Sequence, residues 1–199
     1  MCSKSYCRNS RNSVFRHLKL TVDISGSQKM KLLPLFLLCV LSVRLSMAED
    51  TGATRIRRQI ESTPMPQKVT LSDDQWRKVL TPGQFQILRE AKTEPPYKNL
   101  YWNNHDKGIY LCAACGNELF GWDTKFESHT GWPSFYAPLA RDKITVIADT
   151  SHGMTRDEVK CARCGSHLGH VFNDGPPPTH RRYCLNSLAL NFVRKQRGP

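Results

Sequence analysis

The chain has 199 residues, 39% hydrophobic and 23% charged, which is compatible with one globular domain plus extensions and identifies no function by itself. Its formal net charge of +12 is uneven, because residues 1–48 hold eight of the 29 Lys and Arg against one of the 17 acidic residues. The remainder is an ordinary basic surface without a dense Lys/Arg stripe, so no nucleic-acid partner is expected.

The first 48 residues read as a targeting segment. Lys29 and Lys31 precede an apolar run from Leu32 to Val43, and Ser46-Met47-Ala48 supplies small residues where a signal peptidase cuts. A run of twelve residues falls short of the ~20 a spanning helix needs. A cleaved export signal is therefore expected, with Met30 as an alternative start. Arg44 near the end of the run leaves a signal anchor or membrane-surface segment as the alternative, and any membrane contact is expected here alone. Cleavage would discard Cys2, Cys7 and Cys39.

Residues 49–70 are polar, with Arg55, Arg57, Arg58 and Pro64-Met65-Pro66, and read as a flexible linker. The domain proper is expected over 71–195, with a short tail over 196–199. Ser72-Asp73-Asp74-Gln75 forms a capping box ahead of Trp76, Val79 and Leu80 at helical spacing. Thr81-Pro82-Gly83 starts a second helix carrying Phe85, Ile87 and Leu88, which ends before Pro95-Pro96. After Tyr97, short apolar runs separated by Gly, Asn and Pro predict strands at Gly108–Leu111, Glu118–Phe120, Ile144–Ile147 and Leu188–Val193. A short helical part followed by an antiparallel β domain is the economical architecture.

Cysteines carry the strongest signal. Cys112-x-x-Cys115 and Cys161-x-x-Cys164, each followed by Gly, are matched knuckles that suit a tetrahedral structural zinc site. Two disulfides or a C-x-x-C redox centre are the alternatives. Cys184, in Arg182-Tyr183-Cys184-Leu185-Asn186-Ser187, is left over. An unperturbed thiol is only about 3% ionised at pH 7. On a continuous strand from Arg182 to Val193, Arg182, Cys184 and Asn186 would share a face with Leu188, Leu190 and Phe192. Arg182 would favour the thiolate and Asn186 would orient it or its substrate; a small buried cysteine beside a surface arginine is the plainer alternative. His167 and His170 face opposite ways on a regular strand, and a kink at Gly169 would let them converge, with Asp174 to orient one of them. Thr130-Gly131-Trp132-Pro133-Ser134-Phe135 places an aromatic ring either at a pocket mouth or in the core. Trp76, Trp102, Tyr183 and His129 receive no role.

The ordered set Cys112-x-x-Cys115, Phe126-x-Ser128-x-Thr130-Gly131-Trp132-Pro133-Ser134-Phe135, Cys161-x-x-Cys164-Gly165-x-His167-Leu168-Gly169-His170-Val171-Phe172 and Arg182-Tyr183-Cys184-x-Asn186-Ser187 resembles the methionine-R-sulfoxide reductase family, B type, over roughly Leu71–Arg194. The resemblance implies a mainly β fold of two antiparallel three-stranded sheets with short N-terminal helices, and one structural zinc on the cysteine quartet. It implies Cys184 as the nucleophile on the sulfoxide sulfur and His167, His170 and Asp174 as the groups supplying and organising protons. Arg182 and Asn186 would be the polar neighbours of the thiol, and Trp132 the wall receiving the substrate methyl group. The product would be methionine, with Cys184 left as sulfenic acid, the substrate an oxidised methionine of the R epimer in a peptide or protein.

One position departs from the family pattern. Many members carry a resolving cysteine where this chain has Thr130. An external reductant, thioredoxin, glutaredoxin or a small thiol, is therefore expected, acting on a monomer. A zinc-dependent binding module without catalysis and a general thiol-disulfide oxidoreductase are the competing classes. The first would not need Cys184, and the second would use one knuckle as a dithiol without zinc.

Overall fold

A computed structural model describes residues 51–196. The targeting segment expected over 1–48, including Cys2, Cys7 and Cys39, and residues 197–199 of the tail lie outside the described residues. No helix among the described residues is long and apolar enough to cross a membrane.

The stretch expected to be a linker is instead largely helical. Helix α1, Gly52–Ser62, starts at Thr51, whose hydroxyl accepts from the Thr54 N–H. Ile56 and Ile60, four residues apart and so on one face, are its buried residues. Two apolar positions among four arginine and acidic side chains make a narrow stripe, which is why composition alone suggests a solvated tether. The orphan carbonyls at its C-terminal end find a cation: Arg163, inside the second knuckle, donates from Nη2 to the carbonyls of Ile60 (3.0 Å) and Thr63 (2.6 Å) and from Nη1 to that of Cys115.

Helices α2, Asp73–Val79, and α3, Pro82–Leu88, form where expected, each with a complete capping box, Ser72/Gln75 and Thr81/Gln84. Asp73 and Asp74 in the first turn of α2 and Arg77 and Lys78 in its last complement the helix dipole. Trp76, Val79, Phe85, Ile87 and Leu88 are buried.

Nine strands follow, all paired antiparallel, in two sheets. The first has the order β2-β1-β9, from β1 (Gly108–Cys112), β2 (Glu118–Gly121) and β9 (Leu190–Arg194). The second has six strands, not three, in the order β3-β4-β8-β7-β6-β5. Its four longer members are β5 (Ile144–Asp149), β6 (Arg156–Cys161), β7 (His167–Phe172) and β8 (Arg182–Leu185). The two-residue strands β3 (Lys125–Phe126) and β4 (Ser134–Phe135) add to the β8 side because the Gly-Trp-Pro turn folds one back on the other. Tyr110, Phe120, Phe135 and Tyr183 join the sheets as an aromatic core, with centroids 4.7 Å apart for Phe120–Phe135 and 5.6 Å for Phe120–Tyr183.

The continuous strand expected from Arg182 to Val193 is broken. A 3₁₀ turn at Ser187–Ala189 separates β8 from β9 and hands the chain from one sheet to the other. A buried acid fixes the break: the Glu94 carboxylate accepts the N–H groups of Ser187 and, at 3.1 Å, Leu188. Asn186, just before the turn, accepts from the Glu94 N–H (3.1 Å) and donates to the Leu168 carbonyl (3.2 Å). Polar groups inside the protein must be satisfied locally, and here that requirement overrides the apolar alternation that suggests one long strand.

Candidate active site and metal centre

The two knuckles meet across the sheets. Cys112 and Cys115 lie at the end of β1, Cys161 and Cys164 at the end of β6, and the four buried thiols lie within 4.8 Å of one another. Sulfurs of opposite knuckles stand 3.7 Å (Cys112–Cys164) and 3.6 Å (Cys115–Cys161) apart. A tetrahedron of Zn–S bonds of about 2.3 Å has edges of about 3.8 Å, so the quartet has the dimensions of a zinc site. Disulfide bonds, about 2.05 Å long, are absent from the described cysteines. Thiols crowded this closely cannot all ionise without a cation among them, and zinc held by the quartet would supply that positive charge. The metal thus staples the three-stranded sheet to the six-stranded one.

Cys184 lies elsewhere, on β8, and none of the zinc ligands lines its cavity. Its register partners are His170 on β7 and Ser134 on β4, so the three side chains project from one face of the sheet. A cavity of about 150 Å³ opens on this face, with Cys184, His170, Trp132, Asn186, Phe172 and Arg156 in its wall. The strands approach closely because residue 169 is glycine: a Cβ there would lie 2.1 Å from the Cys184 carbonyl oxygen. A bulge at the same place, where Val159 faces Gly169 and Lys160 faces His167, leaves Leu168 as an extra residue. It brings His167 and His170 to one side, their rings edge-to-face with centroids 5.4 Å apart, as the expected kink requires.

The two histidines differ in setting. His167 is buried and pairs through Nδ1 with Glu158 Oε1 at 2.7 Å, while its Nε2 is buried without a hydrogen-bond partner. Burial is the main reason its imidazole is held below the usual range, against the attraction of Glu158. His170 pairs through Nε2 with Asp149 Oδ2 at 2.7 Å. Asp174, expected to orient a histidine, does not: it grips the Arg182 guanidinium in a two-pronged pair, 2.9 Å to Nε and 2.8 Å to Nη2. Arg182 also lies over the Phe172 ring at 4.4 Å. Asn186 lines the cavity, with its amide committed to Glu94 and Leu168 as described above.

Trp132 sits in the cavity wall with its indole N–H donated to the Glu94 carbonyl at 3.0 Å. The turn that carries it needs Gly131, whose φ is +86° and where a Cβ would lie 2.8 Å from the Tyr97 backbone nitrogen. Thr130 brings its hydroxyl to 3.9 Å from the Cys184 sulfur, and a chain of hydroxyls runs on through Ser128 (2.9 Å) to Ser134 (2.7 Å). Burial pushes the Cys184 thiol above its ordinary value, while the Arg182 charge and the hydroxyls of Thr130 and Ser134 pull the other way.

Ser134 and Phe172 lie inside motifs quoted above but received no role there, while Asp149, Arg156, Glu158 and Glu94 escaped the sequence reading altogether. Each is an ordinary residue type with no diagnostic spacing, and the signal that would find them is strand register, which only the fold supplies.

Comparison with known proteins agrees with this arrangement. Residues 80–194 match the SelR domain model. Peptide methionine sulfoxide reductase MsrB of Methanosarcina barkeri is 57% identical over 136 residues, covering 67% of this chain and 95% of that protein. The protein of the same name from Leptospira interrogans is 52% identical over 131 residues, 66% of this chain and all of that one, and that from Agrobacterium fabrum 53% identical over 125 residues, 63% and 93%. A match to the domain model over more than half of the chain, and to such relatives over nearly their whole length, places this protein in the SelR domain family, that of the B-type methionine sulfoxide reductases.

Proposed function

We propose that the protein reduces the R epimer of methionine sulfoxide in peptides and proteins, with Cys184 as the nucleophile. The observation that carries this reading is the direct cross-strand pairing of Cys184 with His170 in one cavity that Trp132 also lines. The Cys184 thiolate attacks the sulfoxide sulfur while a proton reaches the sulfoxide oxygen, which leaves poorly unless protonated. The attack joins the two sulfurs as the protonated oxygen departs as water, and water then cleaves that S–S bond, leaving Cys184 as sulfenic acid and releasing methionine. Over both steps the substrate sulfur gains the two electrons that the cysteine sulfur loses, and thiolate plus one proton balances the reaction.

His170 supplies the proton, and His167, fixed by Glu158, packs edge-on against its ring and limits its rotation. Arg182 favours the thiolate and is itself held by Asp174; Asn186 and Trp132 shape the pocket for the substrate. Zinc on the quartet supplies structural cross-linking and no chemistry to the reaction. Thr130 stands where an internal resolving thiol would be, so thioredoxin, glutaredoxin or a small thiol attacks the sulfenic acid from outside. The protein acts as a monomer, exported by way of the cleaved segment ending near Ala48.

The test is single-turnover reaction of the purified, zinc-loaded protein with peptides carrying separated R and S methionine sulfoxide. One methionine per Cys184 from the R peptide and none from the S peptide is expected. Cys184→Ser should make none and keep its zinc. No product from folded, zinc-loaded protein would sink the proposal and favour a binding module, and loss of zinc from Cys184→Ser would refute the separation of nucleophile from clamp.

A further inference from the structure

Asp149 has no part in the reaction as assigned above, yet its carboxylate is fully engaged beside the cavity. It ends β5, opposite Arg156 at the start of β6. Oδ1 accepts the Ser151 N–H at 2.9 Å in a tight turn, and Oδ2 is shared by His170 Nε2 at 2.7 Å and Arg156 Nη2 at 2.8 Å. The carboxylate is only 16% exposed and the imidazole 13%. Hydrogen bonds from Ser151, first from its side chain and then its backbone, then from His170, together with the Arg156 charge, hold this carboxyl well below the usual range.

Other groups face His170 too. His167 lies on its own strand, Glu158 opposite it on β6, and Cys184 opposite it on β8 with Arg182 beyond. Glu158 is committed to His167 and Lys160. Asp149 is thus the carboxylate bonded to the His170 ring among the described residues. An ionised carboxylate only accepts hydrogen bonds, so Nε2 must carry a proton and Nδ1 is the nitrogen left for other work. Nδ1 has no hydrogen-bond partner among the described residues, and His170 lines the cavity.

Building on the reductase function proposed above, we infer that Asp149 is a positioning residue for His170: by keeping a proton on Nε2 it makes Nδ1 the nitrogen that delivers a proton to the sulfoxide oxygen. Arg156 holds the carboxylate in place. The imidazolium gives up its Nδ1 proton as Cys184 attacks, and the neutral ring that remains is the Nε2–H tautomer that Asp149 favours.

Asp149→Asn separates this role from a structural one. An amide can keep the turn to Ser151 through its oxygen but offers His170 an N–H in place of an acceptor, which reverses the tautomer. In a Ser–His–Asp triad such an exchange costs about 10⁴-fold. Here the expected result is at least about a 100-fold slower single turnover on the R peptide with zinc content unchanged, and ¹⁵N imidazole NMR showing neutral His170 protonated on Nε2 in the wild type and on Nδ1 in the variant. A rate within threefold of wild type would overturn the inference. So would a wild-type His170 protonated on Nδ1, a reading that needs no variant to fold. Because the tautomer is read without substrate, a wild type inactive on both epimers would refute the reductase function, whereas a correct tautomer with an unaffected rate would refute only the role of Asp149.

Discussion

At Cys184, burial and charge act in opposite directions. Burial dominates and raises the thiol, and Arg182, itself gripped by Asp174, is the first of the opposing influences. With the thiol above its ordinary value, most of it is protonated near neutrality, so alkylation by iodoacetamide, which needs no proton donor, should climb as pH rises through the thiol's ionisation and level off beyond it. Replacing Arg182 with Met removes the stabilising charge and moves the thiol higher still. A nearby opposite charge shifts a pKa by about 1–3 units, so Arg182→Met should alkylate with iodoacetamide about tenfold more slowly at neutral pH, with its climb displaced to higher pH. An alkylation profile that overlays the wild type would show that Arg182 does not govern the thiol. Asp174, largely exposed at 61%, contributes through the geometry of the arginine more than through its own field.

Among the elements, α1 is held by two buried isoleucines and two arginines, one of them far off in the chain. Arg163 bonds the carbonyls of Ile60, Thr63 and Cys115 from a buried position, while Arg57 bonds the Val79 carbonyl at 2.7 Å. Arg163→Met leaves three carbonyls without their donor, at about 1–3 kcal/mol for each that stays buried. The expected outcome is a helix that detaches locally, seen as trypsin cleavage within 52–62 at a protease level that leaves the wild type intact. Equal resistance in the two proteins would assign the docking of α1 to Ile56 and Ile60 alone. The same helix marks a limit of sequence reading. The capping boxes of α2 and α3, the strands β1, β2, β5 and β9 and the knuckles were legible because each has a local signature, whereas β6 and β7 were not predicted; α1 was not legible either, since two isoleucines among polar residues acquire meaning only once a surface exists to receive them. The broken strand is similar: its apolar alternation is real, but Glu94, some ninety residues upstream, ends β8. At the site, Cys184, Trp132 and the histidines stood out by residue type and pattern, whereas the carboxylates that fix the histidines, Glu158 and Asp149, are visible only through strand pairing.

For the whole molecule, the sheets are tied together by the chain at Ser187–Ala189, by the aromatic core and by the cysteine quartet. Structural zinc sites bind with an apparent free energy of about 10–16 kcal/mol, and a domain's entire stability is about 5–15 kcal/mol. Removing the metal should therefore unfold the domain rather than soften it. Chelation, or Cys112→Ser at a fully buried position, is expected to abolish both zinc content and the cooperative thermal transition followed by circular dichroism. A cooperative transition persisting in metal-free protein would mean that the core holds the sheets without help. The latch at Arg163 gives this staple a mechanical side. A load applied to the N-terminal end of α1 would be borne by the hydrogen bonds of Arg163 to Ile60 and to the first knuckle, and so by the metal-anchored loop that carries Arg163. Cys184 lies off that line of force, on a strand flanked by β4 and β7, so a load at the N-terminal end can strip α1 from the surface before it displaces the reactive sulfur.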